Sequence, residues 1–361
     1  MKKLADLDSP AVVIDAALLD KNLQAMQSVC DAGSTELWPH IKTHKMVPVL
    51  RRQLELGAVG ATFAKLGEAE ALLPSGVRQV FIAHSLVDLA KAARLRALYG
   101  KLDRLILAVT SAPQGDALER LLDAAGISVS VLLAVDTGLH REGARDPAQA
   151  AMVAEKIRRS SRMELIGLYT HEGHAYGASS PANAAEAADR VYEVLGQVRE
   201  AVGGGLSLWP GCSVTAALLA GRPHVHAVRP GGYVFGDLAL AETTGVTAAA
   251  DVALTVLATV VDRPDKNLAL IDAGSKVFSG DKTPSGLSGR CLEHPALVVS
   301  RVNEEHGYVT GEGVEHLAIG QRLRFIPAHV CPVVNLADRV HLLDRETVRE
   351  TWPVDARGRS D

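Results

Sequence analysis

The chain has 361 residues, of which 47% are apolar and 22% charged, and its formal net charge is −4. That length exceeds one small core and calls for two domains, while the mild negative charge, with no basic run, argues against nucleic acid or an anionic membrane surface as a partner. Thirty-two glycines against only 4% aromatic residues suit a protein with many tight strand-to-helix turns.

Taken in chain order, MKKLADLDSPAVVID carries lysines but no long apolar core and no small-residue cleavage site, so no signal peptide is expected. From about residue 10 to 245 one unit repeats: a short β-rich run, then an amphipathic stretch rich in alanine and leucine. The candidate strands are LWPHIKTH, GATFAKL, QVFIAHS, RLILAVT, VSVLLAVD, ELIGLYTHE, LSLWPGCS and HVHAVRPG. Helical segments such as LGEAEALLPSG and PAQAAMVAEKIRRSS lie between them. Eight strand–helix units in series predict an α/β protein built on a (β/α)8 TIM-type barrel, with an open doubly wound sheet as the alternative. After residue 245 the rhythm changes to short strands between Gly, Pro and Asn turns: ADVALTVLATVVDRP, NLALIDAG, PALVVSRVN, GYVTGEG, QRLRFIP and DRVHLLD. This predicts a C-terminal antiparallel β domain over 246–361, joined by residues 1–9. The apolar run GVTAAADVALTVLATVVD contains Asp251 and alternates like a strand, so no membrane span is expected. Cys30, Cys212, Cys291 and Cys331 form no CxxC pair, which predicts free thiols in a reducing, cytoplasmic setting.

Barrel enzymes carry their chemistry at the C-terminal ends of the strands. The polar residues gather there: His40, Lys42, Thr43 and His44; His84; Asp136, His140 and Arg141; Tyr169, His171, Glu172, His174 and Tyr176; Ser213; Arg229. Lys42, in WPHIKTHK, closes the first candidate strand among basic neighbours that would lower its pKa and favour covalent attachment of a carbonyl cofactor. The alternative is a solvated basic loop. In the β domain, His329 and Cys331 stand two apart in a strand-like segment, where i and i+2 share a face. An imidazole and a thiolate suit zinc, and manganese if water completes the shell, although such a pair standing alone is more often structural.

The ordered runs SPAVVID, KNLQAMQ, PHIKTHK and GAVGATFAKLGEAEAL resemble the D-threonine aldolase and eukaryotic-type D-serine dehydratase family, alanine-racemase-like enzymes of pyridoxal-phosphate fold type III. VDTGLHREG, GLYTHEGHAYG, VRPGGYVFGD, PAHVCPVVNLAD and TWPVDARGRS extend the resemblance over nearly the whole chain. It implies Lys42 as the Schiff-base lysine of pyridoxal 5'-phosphate, and Ser213, Gly232 and Tyr233 as phosphate-binding residues. Glycine lets backbone N–H groups approach an anion and a hydroxyl adds a donor. Arg141 and Arg229 then compete for the place beside the pyridine nitrogen, with Arg141 slightly favoured. Tyr169 and Tyr176 join the cofactor pocket, and His329 with Cys331 holds a divalent ion, zinc or manganese, beside the cofactor.

The resemblance implies a lyase acting on D-β-hydroxy amino acids, working as a homodimer. In the aldolase reading His171 or His174 takes the β-hydroxyl proton and the Cα–Cβ bond breaks, yielding glycine and an aldehyde. In the dehydratase reading Lys42 removes the α-proton and hydroxide departs. Cys331 matches the dehydratase His-x-Cys pair, whereas the flank PVVNLAD matches the aldolases, and cleavage of D-threonine is the favoured expectation. D-Serine or D-3-hydroxyaspartate dehydration is the alternative. A racemase would need a second base, for which Tyr308 has the wrong context, and a non-catalytic cofactor-binding protein would lack the long β domain.

Overall fold

A computed structural model of the chain describes residues 2–361. Strand β1 (Ala11–Asp15) runs into helix α1 (Ala16–Ala32), whose first turn is capped by Asp15 Oδ1 accepting the Leu18 N–H at 2.9 Å. The chain then alternates β2 (Glu36–Leu37), α2 (Val47–Leu56), β3 (Ala61–Phe63), α3 (Leu66–Leu72), β4 (Gln79–Ile82), α4 (Ala92–Tyr99), β5 (Arg104–Val109) and α5 (Ala112–Ala125). The alternation continues with β6 (Val129–Ala134), α6 (Pro147–Arg159), β7 (Met163–Tyr169), α7 (Pro181–Val202), β8 (Ser207–Trp209), α8 (Ala216–Leu219) and β9 (Ala227–Val228). The helix starts are written locally: Ser111, Asp146 and Ser180 cap α5, α6 and α7, each with proline in the first turn.

Strands β3 to β8 pair in parallel in sequence order, and β2 pairs in parallel with β9. Bridges His40–Thr62 and Leu208–Val225 join the two groups, closing the eight strands into a barrel. All eight predicted barrel strands are present, although the first is shorter than expected. Of LWPHIKTH only Leu37 lies in a strand, β2, and beyond Pro39 the run becomes a 3-10 turn at Ile41–Thr43, in which His40 Nδ1 accepts the Lys42 N–H. The lumen is filled by Trp38, Phe81, Ile106, Leu132, Tyr169 and Trp209, with Trp38 and Trp209 edge to face at 5.0 Å between ring centroids.

The C-terminal region contains β10 (Leu254–Asp265), β11 (Leu268–Ile271), α9 (Ser275–Phe278), β12 (Gly289–Cys291), β13 (Val298–Val302), β14 (Gly307–Thr310) and β15 (Arg322–Pro327). It ends in α10 (Val330–Leu336), β16 (Arg339–Asp344) and β17 (Thr347–Pro353). Strands β10, β11, β14, β13, β12 and β15 form a closed antiparallel ring, because the long β10 pairs with β15 along one half and with β11 along the other. Strand β1 adds to β10 antiparallel and to β16 in parallel, so the chain's first strand belongs to this sheet. Strands β12 and β17 and helices α9 and α10 add to the strands that the sequence pattern predicts. The last of these corrects the local environment of the expected metal pair. His329 is the N-cap of α10 and Cys331 its second residue, not two positions of a strand. Asp237 drives this turn by accepting the Val330 N–H at 3.0 Å. The four cysteines are all free thiols, and among the described residues no helix is long and apolar enough to cross a membrane.

Candidate active site

A cavity of about 870 Å³ opens between the C-terminal ends of the barrel strands and the β domain. Its walls include His40, Lys42, Arg141, His171, Tyr176, Ser213, Arg229 and Gly232 from the barrel, and Asp281, His329 and Cys331 from the β domain. A side chamber of about 340 Å³ shares Lys42, Arg141, His171 and Arg229 with it and extends to Tyr169 and His84.

The two lysines of PHIKTHK have different fates. Lys42 lines both chambers. Lys45, at φ 53°, is buried, donates to Asn335 Oδ1 at 2.8 Å and pairs with the buried Glu68 at 3.2 Å. Only Lys42 is free to meet a ligand. Thr43 between them bonds the Cys331 thiol at 3.3 Å, so this one turn also docks the β domain.

On the opposite wall Ser213 Oγ accepts the N–H groups of Gly231 and Tyr233, each at 3.2 Å, and Tyr176 also bonds it. A Cβ on Gly232 would sit 3.5 Å from Ser213 Oγ and 3.9 Å from the Tyr176 hydroxyl. Glycine therefore leaves open a pocket rimmed by the Ser213 and Tyr176 hydroxyls and a Leu240 methyl, with the Gly232 N–H beside it, donors suited to a phosphate. A Cβ on Gly231 would fall 2.6 Å from Thr43 Oγ1, so that position admits no side chain. Tyr233 contributes differently from expectation. Its N–H belongs to the cradle, but its hydroxyl accepts from Gln53 Nε2 at 2.8 Å and its ring packs in the core beneath the β domain. Behind the cradle the buried Glu172 accepts the Gly211 N–H at 3.1 Å and the Thr215 hydroxyl at 2.6 Å, a bracing role that the strand-end clustering did not separate from a catalytic one.

The two arginines are unlike. Arg229 is buried at the cavity floor, donates to the Trp209 carbonyl at 3.2 Å and to the Thr170 carbonyl, and lies against the rings of Tyr169 and Phe81. Burial lowers its pKa to about 10. Arg141 sits on the rim with its side chain 53% exposed, paired with Glu142 at 3.1 Å. Tyr169 donates to the Ala83 carbonyl at 3.2 Å, and burial raises its phenol pKa.

His171 is anchored through Nδ1 on the Gly211 carbonyl at 2.9 Å. Because a carbonyl only accepts, Nδ1 carries the proton and Nε2 keeps its lone pair. Burial first, and then the charge of Lys42, lowers this imidazole to about 3, so it is neutral at ordinary pH. His174, expected beside it, packs its ring against Gly138 and is not part of either wall. Tyr308 is likewise remote from the walls: its hydroxyl accepts from Asn303 and its ring lies under Arg301.

His329 and Cys331 do converge, although on a helix start. Burial would lower the imidazole, but the Cys331 thiol and Asp281 outweigh it and push it up to about 10. Burial would raise the thiol, but the His329 hydrogen bond and charge outweigh it and leave the thiol below its ordinary value. An imidazole beside a readily ionised thiol has the donor chemistry of a zinc-type site. No group of three or more His, Cys, Asp and Glu side chains placed to hold a metal occurs among the described residues.

A model of the "Alanine racemase, N-terminal domain" matches residues 14–239, and one of the "Putative serine dehydratase domain" matches residues 253–343. The chain belongs to the alanine-racemase-like, fold-type III family of pyridoxal-phosphate enzymes. Within this family it is 34% identical to the D-threo-3-hydroxyaspartate dehydratase of Delftia sp., over 97% of this chain and 97% of that protein. It is 30% identical to the D-threonine aldolase of Arthrobacter sp., over 98% of this chain and 94% of that one. The solved D-threonine aldolase of Filomicrobium marinum superposes with a TM-score of 0.88 at 28% identity, covering 99% of this chain and 98% of the other. The cradle at Gly232 and the amine of Lys42 line the same cavity, which fits the cofactor of this family of enzymes.

Proposed function

We propose that this chain is a pyridoxal-phosphate- and divalent-metal-dependent lyase acting on D-β-hydroxy amino acids, and that its main reaction is the retro-aldol cleavage of a D-threonine aldolase. Its relatives include a D-threonine aldolase and a D-threo-3-hydroxyaspartate dehydratase, which supports the D-β-hydroxy class. Lys42 holds the cofactor covalently, Ser213, Tyr176 and the N–H groups around Gly232 hold its phosphate, and His329 with Cys331 holds the ion. When bound, the cofactor supplies an electron sink at Cα and the ion supplies Lewis acidity at a β-hydroxyl.

The observation that carries the cleavage reading is the unprotonated Nε2 of His171, in the same cavity as Lys42 and the His329–Cys331 pair. His171 takes the β-hydroxyl proton, the O–H pair becomes the aldehyde C=O, and the Cα–Cβ electrons pass to Cα. Lys42 returns a proton to Cα, which gives glycine. Arg141, on the rim with a solvated partner, is available to a substrate carboxylate, while Arg229 is fixed in the floor before any ligand arrives. Dehydration is the second reading, favoured by Cys331: a solved structure of a D-threo-3-hydroxyaspartate dehydratase is of a cysteine-to-alanine mutant in the metal-free form. The four free thiols support a reducing, cytoplasmic setting, and exposed Val87 and Leu89, close in sequence to His84 of the cavity wall, support a homodimer.

Product identity tests the choice. D-Threonine is expected to give mainly glycine and acetaldehyde, with L-threonine inert. Mainly 2-oxobutanoate and ammonia would replace cleavage by dehydration.

A further inference from the structure

We propose that Asp281 is a positioning residue of the divalent-ion site, holding His329 through Nδ1 so that Nε2 is the nitrogen presented to Cys331 and the ion. The inference rests on the reading of His329 and Cys331 as ion ligands and adds a third residue that neither spacing nor motif singles out.

Asp281 Oδ2 lies 2.6 Å from His329 Nδ1, across 48 residues of sequence, and both side chains line the cavity with Cys331. A carboxylate only accepts, so Nδ1 keeps its proton, and Nε2 is the nitrogen that gives up its proton and becomes the donor when an ion binds. The backbone at His329 is already fixed, because Asp237 accepts the next N–H at the start of α10. What remains free is the ring itself. At 45% side-chain exposure it has room to flip, and a flip would exchange Nδ1 for Nε2 and turn the donor away. Asp281 removes that freedom.

Asp281 is delivered by a strapped loop. Its own N–H donates to Ser279 Oγ at 3.1 Å, and the following turn is tied by Thr283, whose N–H bonds the Leu287 carbonyl at 2.9 Å. The Thr283 hydroxyl accepts the Leu287 N–H at 3.1 Å and bonds Ser285 at 2.8 Å. None of these bonds uses the Asp281 carboxylate, which leaves it for His329. Outer carboxylates on a metal-bound histidine fix its tautomer and raise its basicity, and losing one weakens metal binding roughly 10–100-fold.

The test is titration of Mn²⁺ into chelator-stripped, cofactor-loaded protein, followed by calorimetry. Asp281→Ala should weaken Mn²⁺ binding by roughly 10–100-fold while the melting temperature and the cofactor absorbance stay at the wild-type values. Among the described residues the exposed carboxylate has no other partner whose loss would unfold the loop. Asp281→Asn, which keeps an acceptor oxygen without its charge, should fall between the two. His329→Ala should abolish saturable binding. Wild-type Mn²⁺ affinity in Asp281→Ala, with His329→Ala inactive in binding, overturns the role of Asp281 alone. Wild-type affinity in His329→Ala overturns the ion site itself.

Discussion

The two walls of the cavity are built on different principles. The barrel wall is finished before any ligand arrives: Arg229, His171, Ser213 and Glu172 each have their hydrogen bonds inside the protein, and most of these groups are buried. The β-domain wall is lean, with two donor residues on one helix start, a histidine ring 45% exposed, and Asp281 reaching in from an exposed loop. The seam between them runs through PHIKTHK, where Thr43 touches Cys331 and Lys45 reaches Asn335 of α10. A preassembled wall spends little reorganisation on binding a cofactor, whereas the lean wall, in the proposed ion site, would leave coordination positions open for substrate.

The sharpest way to break this comparison is at the seam. Lys42→Ala is expected to lower turnover by at least about 10³-fold, as for loss of a principal proton-transfer group, and borohydride should fix the cofactor on the peptide containing Lys42 in wild-type protein. Lys45→Ala should instead cost stability, about 3–5 kcal/mol, because it strands the buried Glu68; denaturant titration reads this. An adduct on Lys45 would reverse the assignment.

The next effect separates the walls. Chelation should abolish turnover yet leave the bound cofactor's absorbance intact. Gly232→Val should do the opposite, filling the cradle and weakening cofactor binding by roughly 10–100-fold, the worth of a lost hydrogen bond to a charged group. If chelation also released the cofactor, the two walls would not be independent.

The last effect to be read is on stability against pH. His44, whose Nδ1 accepts the Met46 N–H, and His171 both titrate near 3, lowered first by burial. Between pH 6.5 and 3 the unfolded chain takes up these protons and the folded one does not. Stability therefore falls as pH falls through that window, by up to about 1.4 kcal/mol per pH unit per histidine. His44→Asn should remove about one proton from the uptake on acid unfolding; an unchanged uptake would show that His44 is protonated in the folded protein.

Much was legible in the chain itself. Eight β-rich runs alternating with capped helices specify a barrel because each strand and helix is written locally, in apolar runs, Ser/Asp–Pro starts and glycine turns. The strand-end convention then placed Lys42, His171, Ser213 and Arg229 around one cavity. Other features depended on partners distant in sequence. Pairing with β10 and β16 recruits β1 to the β domain, and the Asp237 cap turns the His-x-Cys segment from an expected strand into a helix start. His174 lies beside Gly138 rather than in the cavity wall, and Gln53 draws the Tyr233 hydroxyl away from the cradle. Asp281 left no trace in spacing, because its partner is 48 residues further along the chain. Local propensity and periodicity write the elements and which residue types cluster at their ends. The rotamer each side chain adopts, and the ring nitrogen that carries its proton, are set by whichever donor or acceptor the packed fold brings opposite it.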